Sequence, residues 1–123
     1  MLRKSILVIS DQHAPYHHID TLDFLSAIKE KYKPDCVVNI GDEMDWHSIS
    51  FHDSHPGLYS PSHELVVAKK FFKQLEELFP RQYIMDSNHG SLVFRKATRH
   101  GLPHEIFKSY NHMLGVGKGW SWH

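Results

Sequence analysis

Residues 35–45 read "DCVVNIGDEMD". A short apolar, β-branched run stops abruptly at Gly41-Asp42, with Glu43 and Asp45 just beyond. The run is too short for a helix and has no 3.6-residue period, so it reads as a buried strand. Glycine at the strand end lets the backbone turn tightly. The carboxylates therefore stand on a loop that leaves the strand.

Two other segments have the same form. Upstream, Ser5 to Ser10 ("SILVIS") reads as a strand buried on both faces, and it runs into Asp11-Gln12-His13. Downstream, "QYIMDS" (82–87) reads as a third strand leading into Asn88-His89-Gly90. Helical spacing fills the gaps between them. Leu22, Leu25, Ile28 and Tyr32 recur over 20–32, with Asp20 available as N-cap and Pro34 as a stop. Leu65, Ala68, Phe72, Leu75 and Phe79 make a stripe over 62–79, with Ser62 placed to cap and Pro80 following. Residues 46–61 read as a long loop with at most one helical turn. Helices are expected over 91–99 and 103–113, and the tail "GVGKGWSWH" has no periodicity. Strand-helix-strand-helix-strand is the pattern of right-handed βαβαβ crossovers, a parallel α/β sheet flanked by helices.

Composition bounds the function. The 123 residues suit one domain, and 41% hydrophobic residues can supply its core. Lys+Arg and Asp+Glu balance at 14 each, which argues against a strongly basic face for long duplex DNA. A single cysteine, Cys36, excludes an internal disulfide framework and fits the reducing cytoplasm. No apolar run approaches the ~20 residues of a membrane span. The start "MLRKSILVIS" lacks a cleavage site and reads as a first strand rather than a secretory leader.

The chemistry collects at the three strand ends. In a parallel α/β sheet these carboxyl ends share one edge, where ligands bind. Asp11, His13, Asp42, Asp45, Asn88 and His89 are thus expected to converge. Carboxylates, imidazole and an amide oxygen form a mixed O/N donor set suited to Mn, Fe or Zn. Two such cations ~3.5–4 Å apart make the clamp used for in-line displacement at phosphorus.

"DQH", "GDEMD" and "SNHG" resemble, in order, the first three motifs of the calcineurin-like metallophosphoesterases: Asp-x-His, Gly-Asp-x-x-Asp and Gly-Asn-His-Asp/Glu. The resemblance covers residues 5 to about 95. It implies the N-terminal half of that family's α/β sandwich. It implies two divalent transition metals, manganese first and iron, zinc or nickel next. Asp11 and His13 would hold the first, Asp42 would bridge, and Asn88 would hold the second. His89 would be the catalytic general acid or transition-state stabiliser, Asp45 would orient a ligand or loop, and a metal-bound hydroxide would be the nucleophile. The substrate would be a phosphomonoester or phosphodiester, with nucleotides and nucleic acid among the options and no membrane partner.

The chain also departs from the pattern. Ser87 replaces the usual glycine before Asn-His, and Gly90 replaces the acidic residue after it, removing the usual partner of His89. The family's later histidines, including a Gly-His-x-His motif, have no counterpart after residue 95. His100, His104, His112 or a partner chain would have to serve. The expectation is a single incomplete or minimal domain over 1–123, with one metal position filled and the second weak if those ligands are not supplied. Exposed sheet edges then favour a homo-oligomer. The alternative function is a degenerate, non-catalytic metal-binding module with a protein or nucleic-acid partner.

Other residues are open to two readings. His47 can touch substrate or metal, whereas His52 and His55 read as polar rim, and Asp45 also fits an N-cap. Arg95 can reach a substrate phosphate or stand solvated on its helix, with Arg99 and Lys96 beside it. His17 and His18 read as loop residues. Trp46 fits a pocket wall or the core, and Trp120 and Trp122 read as strand residues without partners.

Overall fold

The computed structural model describes residues 4–53 and 55–123. The first residues of the basic N-terminal stretch and Ser54 of the histidine-bearing loop lie outside them. Four strands, β1 (Ile6–Ile9), β2 (Cys36–Asn39), β3 (Gln82–Ile84) and β4 (Trp120–Trp122), alternate with helices α1 (Thr21–Tyr32), α2 (Pro61–Leu78), α3 (Leu92–Arg99) and α4 (Tyr110–Leu114). Single 3-10 turns cover His47–Ile49 and His104–Ile106. The strands form one parallel sheet in the order β1-β2-β3-β4. The fold is α/β, a parallel sheet packed with helices. No helix among the described residues is long and apolar enough to cross a membrane.

Sequential order has a consequence for burial. Right-handed crossovers that always step the same way place their helices on the same face. The alternation along the strands agrees. Ile9, Val37, Asn39, Gln82, Ile84 and Trp120 are buried. Ile6, Val8, Ile40 and Tyr83 point the other way and are 60%, 57%, 54% and 51% exposed. This corrects the expectation that β1 is buried on both faces. Its apolar, β-branched composition looks the same whether a second layer covers it or not.

The core is centred on α2. Ala68, Phe71, Phe72, Leu75 and, just past its end, Phe79 are buried against Ile84, Leu114 and Trp120. Phe72 meets Trp120 edge to face at 6.1 Å, and the Trp120 indole N–H donates to the Phe79 carbonyl at 2.9 Å. By contrast, α1 crosses from the edge strand and buries only Leu25, while Tyr32 is exposed.

Several element ends differ from the sequence reading. Ser60, not Ser62, caps α2: its hydroxyl accepts from the His63 N–H, and Pro61 takes the first helical position. Asp20 stands at the N-cap position of α1 but its side chain caps nothing. Lys33 adopts a left-handed conformation to end α1 before Pro34. The helix expected over 103–113 is two pieces, because Phe107 is extended and the Ser109 hydroxyl starts α4 by accepting from the His112 N–H. The tail is a fourth strand. Gln82 donates to the Gly119 carbonyl, His123 to the Ile84 carbonyl, and Asp86 to the His123 carbonyl, so Trp120 and Trp122 do have partners. Three residues are too few for a period to show in sequence.

Candidate metal centre

The carboxyl ends of β1, β2 and β3 meet at one edge. Past β1 and β2 the chains stay tied by backbone hydrogen bonds: Asp11 N–H to Gly41 O (3.0 Å), His13 N–H to Asp42 O (2.9 Å), Ala14 N–H to Glu43 O (2.8 Å) and Asp45 N–H to Ala14 O (2.9 Å). A buried amide pair braces them, with Asn39 Nδ2 donating to Gln12 Oε1 at 2.8 Å and Asn39 Oδ1 accepting from the Gly41 N–H. Asp11, His13, Asp42 and Trp46 all have positive φ (54°, 48°, 52° and 53°). Non-glycine residues rarely adopt this conformation, and such strain gathers where a side chain must be aimed. Gly41 has φ 109°, and a Cβ there would stand 2.4 Å from the Ser87 Cβ. Glycine is required on both counts.

Two donor sets result, each with ligand atoms within 4.8 Å of one another: Asp11, His13 and Asp42, and His13, Asp45 and His89. His13 belongs to both. Its Nδ1 lies 2.8 Å from Asp45 Oδ1, and its Nε2 lies 3.6 Å from Asp11 Oδ1. An ionised carboxylate can only accept, so Nδ1 carries a proton, and Nε2 is the nitrogen turned toward Asp11 that a neutral ring can offer as a lone pair. His89 is held likewise. Its Nδ1–H donates to the Asp45 carbonyl at 2.6 Å, its backbone N–H donates to Asp42 Oδ1 at 3.0 Å, and its ring stands edge-on to His13 at 4.7 Å. Asp45 thus anchors both imidazoles, one through its carboxylate and the other through its carbonyl.

Asn88 is exposed beside the centre. With His89 and Arg95 it lines a cleft of about 190 Å³ that Ser50, Phe51, His52 and Leu92 complete. Arg95 Nη2 donates to the Asn88 carbonyl at 2.5 Å, so the guanidinium reaches the third strand end. His47 stands outside both donor sets; its Nε2 accepts from the His55 N–H at 3.4 Å. Trp46 is 4% exposed and belongs to the core.

The donor chemistry fits a hard-to-borderline divalent cation. Among the described residues every ion pair joins aspartate to histidine, and no lysine or arginine pairs with Asp11, Asp42 or Asp45. Carboxylates and imidazoles grouped in this way could hold a divalent cation.

Three contributors carry no motif signal. The Ser87 hydroxyl accepts from the Asp42 N–H (2.8 Å) and the Gly90 N–H (3.2 Å), so this serine ties two strand ends together. Glu43 is 1% exposed and accepts from the Trp122 indole at 3.1 Å. Burial pushes its carboxyl up. A Cβ at Gly90 would stand 2.8 Å from Glu43 Oε1, so a buried carboxyl from the second strand end packs where a side chain at position 90 would begin. Glu64, fully buried on α2, accepts from the backbone N–H groups of His47 and Ser48 (3.1 Å each) and from the Ser48 hydroxyl. The 46–61 loop is held from the other side by Lys96, whose ammonium donates to the Ile49 and Ser50 carbonyls. An unexpected acid at 43 opposite a missing one at 90 is the one hint the sequence offers.

No family model, curated protein or solved structure matches this chain.

Proposed function

We propose that the chain is a metal-dependent phosphoesterase of the calcineurin-like kind. The observation that carries this reading is the meeting of Asp11, His13 and Asp42 from two strand ends, with His13 shared with Asp45 and His89. Asp11, His13 through Nε2, and Asp42 would hold one divalent transition metal, manganese first. Asp42 and Asn88 would face a second. When bound, such ions acidify water and draw charge from phosphoryl oxygens.

The chain's own residues supply the rest. Asp45 fixes the His13 tautomer, which keeps Nε2 basic toward the ion. Its carbonyl occupies the His89 Nδ1–H, so Nε2 is the nitrogen that, when the ring is protonated on both nitrogens, can pass a proton to a leaving oxygen in the cleft and become neutral. Arg95 stands at the cleft wall, where a guanidinium can hold a nonbridging phosphate oxygen.

Hydrolysis of bis-p-nitrophenyl phosphate and p-nitrophenyl phosphate with added Mn tests this. Asp42→Asn is expected to abolish turnover and weaken Mn uptake. His89→Asn is expected to lower turnover by about 10²–10⁴-fold with Mn uptake retained. Turnover indifferent to both changes refutes the assignment. One observation favours a metal-binding module without turnover as the second reading. Neither donor set includes a histidine beyond His89, and His104 lies against Phe94 instead, 4.1 Å between ring centres. Stoichiometric Mn uptake with no hydrolysis of either ester selects that reading.

A further inference from the structure

The 18 residues from Ser87 to His104 contain no acidic side chain, although the chain as a whole is neutral. They contain Arg95, Lys96 and Arg99, all on α3, which runs away from the third strand end. Arg95 and Arg99 are one helical turn apart and both exposed. Side chains so spaced are neighbours on one helix face, about 5–6 Å apart at Cβ, and their heads rest on different partners, Arg95 on the Asn88 carbonyl and Arg99 over the Phe51 ring. Arg95 borders two hollows, the cleft at His89 and a groove of about 410 Å³ that runs past Thr98 and Arg99 to His104 and is also lined by Asp86, whose carboxylate accepts from the Tyr110 hydroxyl.

An aromatic ring lies along the same path. Phe51, from the loop opposite α3, is 45% exposed. The Arg99 guanidinium carbon is 4.5 Å from its ring centre and the Lys96 ammonium 5.1 Å, so a base that stacks on this ring shares it with, or displaces, these cations. The residues just before Phe51 are tied down, since Lys96 donates to the Ile49 and Ser50 carbonyls and Glu64 accepts from the Ser48 N–H. Cations that track a backbone, alternating with an aromatic platform that accepts any base, are the recognition chemistry of single-stranded nucleic acid. A lone phosphomonoester uses neither the second arginine nor the ring. A duplex keeps its bases stacked inside, away from Phe51.

We infer that the substrate of this centre is a single-stranded polynucleotide, with its scissile phosphodiester at His89, a neighbouring base against Phe51, and the backbone following Arg95 and Arg99. This rests on the phosphoesterase reading for the centre, while the track itself can be tested without metal.

Fluorescence anisotropy with labelled oligo(dT) and oligo(U) of about a dozen nucleotides, in EDTA, measures the track. Binding of at least one strand is expected, and the comparison tells which of the two polymers is preferred. Phe51→Ala is expected to weaken it about tenfold, whereas Phe51→Trp retains it. Arg99→Gln is expected to make the dependence of log K on log salt shallower by about 0.7. No anisotropy change with either strand overturns the inference, as does wild-type binding by Phe51→Ala. If that variant does not fold, lost binding in Phe51→Trp or an unchanged salt slope in Arg99→Gln overturns it instead. Calorimetric Mn titration judges the centre separately. Mn uptake without strand binding overturns the track alone. Absence of Mn uptake overturns the centre, and with it the substrate assignment.

Discussion

A histidine ligand is only as good as the group that holds its other nitrogen. In the proposed centre Asp45 acts through His13: the 2.8 Å contact at Nδ1 favours one tautomer and one ring orientation. Asp45→Asn keeps the shape but offers either an amide N–H or an amide oxygen, so the tautomer is no longer dictated. Mn affinity is expected to fall about 10–100-fold by calorimetry, with the fold intact by circular dichroism. An unchanged affinity removes Asp45 from the centre. The convergence of Asp11, His13, Asp42, Asp45 and His89 follows from sequence because parallel strand ends share an edge. The parts played by Ser87, Glu43 and Gly90 do not. A serine hydroxyl accepting two backbone N–H groups and a glycine making room for a distant carboxyl are facts of through-space proximity.

Elements were readable from periodicity where they are long, as in α2, and blurred where they are short. The start of α2 illustrates the limit, since "SPSHE" offers two serines two residues apart. Pro61 settles the choice, because its fixed φ suits the first helical position and leaves Ser60 as cap. Ser60→Ala is expected to cost about 1 kcal/mol in urea unfolding, whereas Ser62→Ala is expected to cost only a few tenths. Equal effects would place the cap wrongly. The loop before α1 docks on α2 through His17, whose ring stacks on Phe71 at 3.8 Å. Burial lowers the His17 pKa from its ordinary value of about 6.5. The unfolded chain then binds more protons than the folded one between the lowered value and about 6.5. Stability is therefore expected to fall as pH drops through that window. His17→Phe, which cannot titrate, is expected to show a shallower loss in metal-free urea titrations between about pH 5 and 7. A pH profile identical to wild type refutes the assignment to His17.

At the scale of the whole molecule the one-sided sheet is the governing fact. Every crossover steps in the same direction, so the helices cover one face and leave the other to solvent. Register makes that face continuous: Ile6 pairs with Cys36, Val8 with Val38, and Val38 with Tyr83, while Ile40 extends it at the metal-centre end. Its exposed members are large and apolar, and β1 is an edge strand of the sheet among the described residues. Contiguous apolar surface of this kind is removed from water by association, and a face that meets its own copy does so most simply about a two-fold axis. Light scattering is therefore expected to give a dimer or larger species for this chain. Val8→Lys with Tyr83→Lys places two charges in the middle of the face without touching the helix side of the sheet. That double variant is expected to scatter as a monomer with the same helical circular dichroism. A wild-type chain that stays monomeric up to high micromolar concentration, or a double variant that associates as before, shows that this face does not drive assembly.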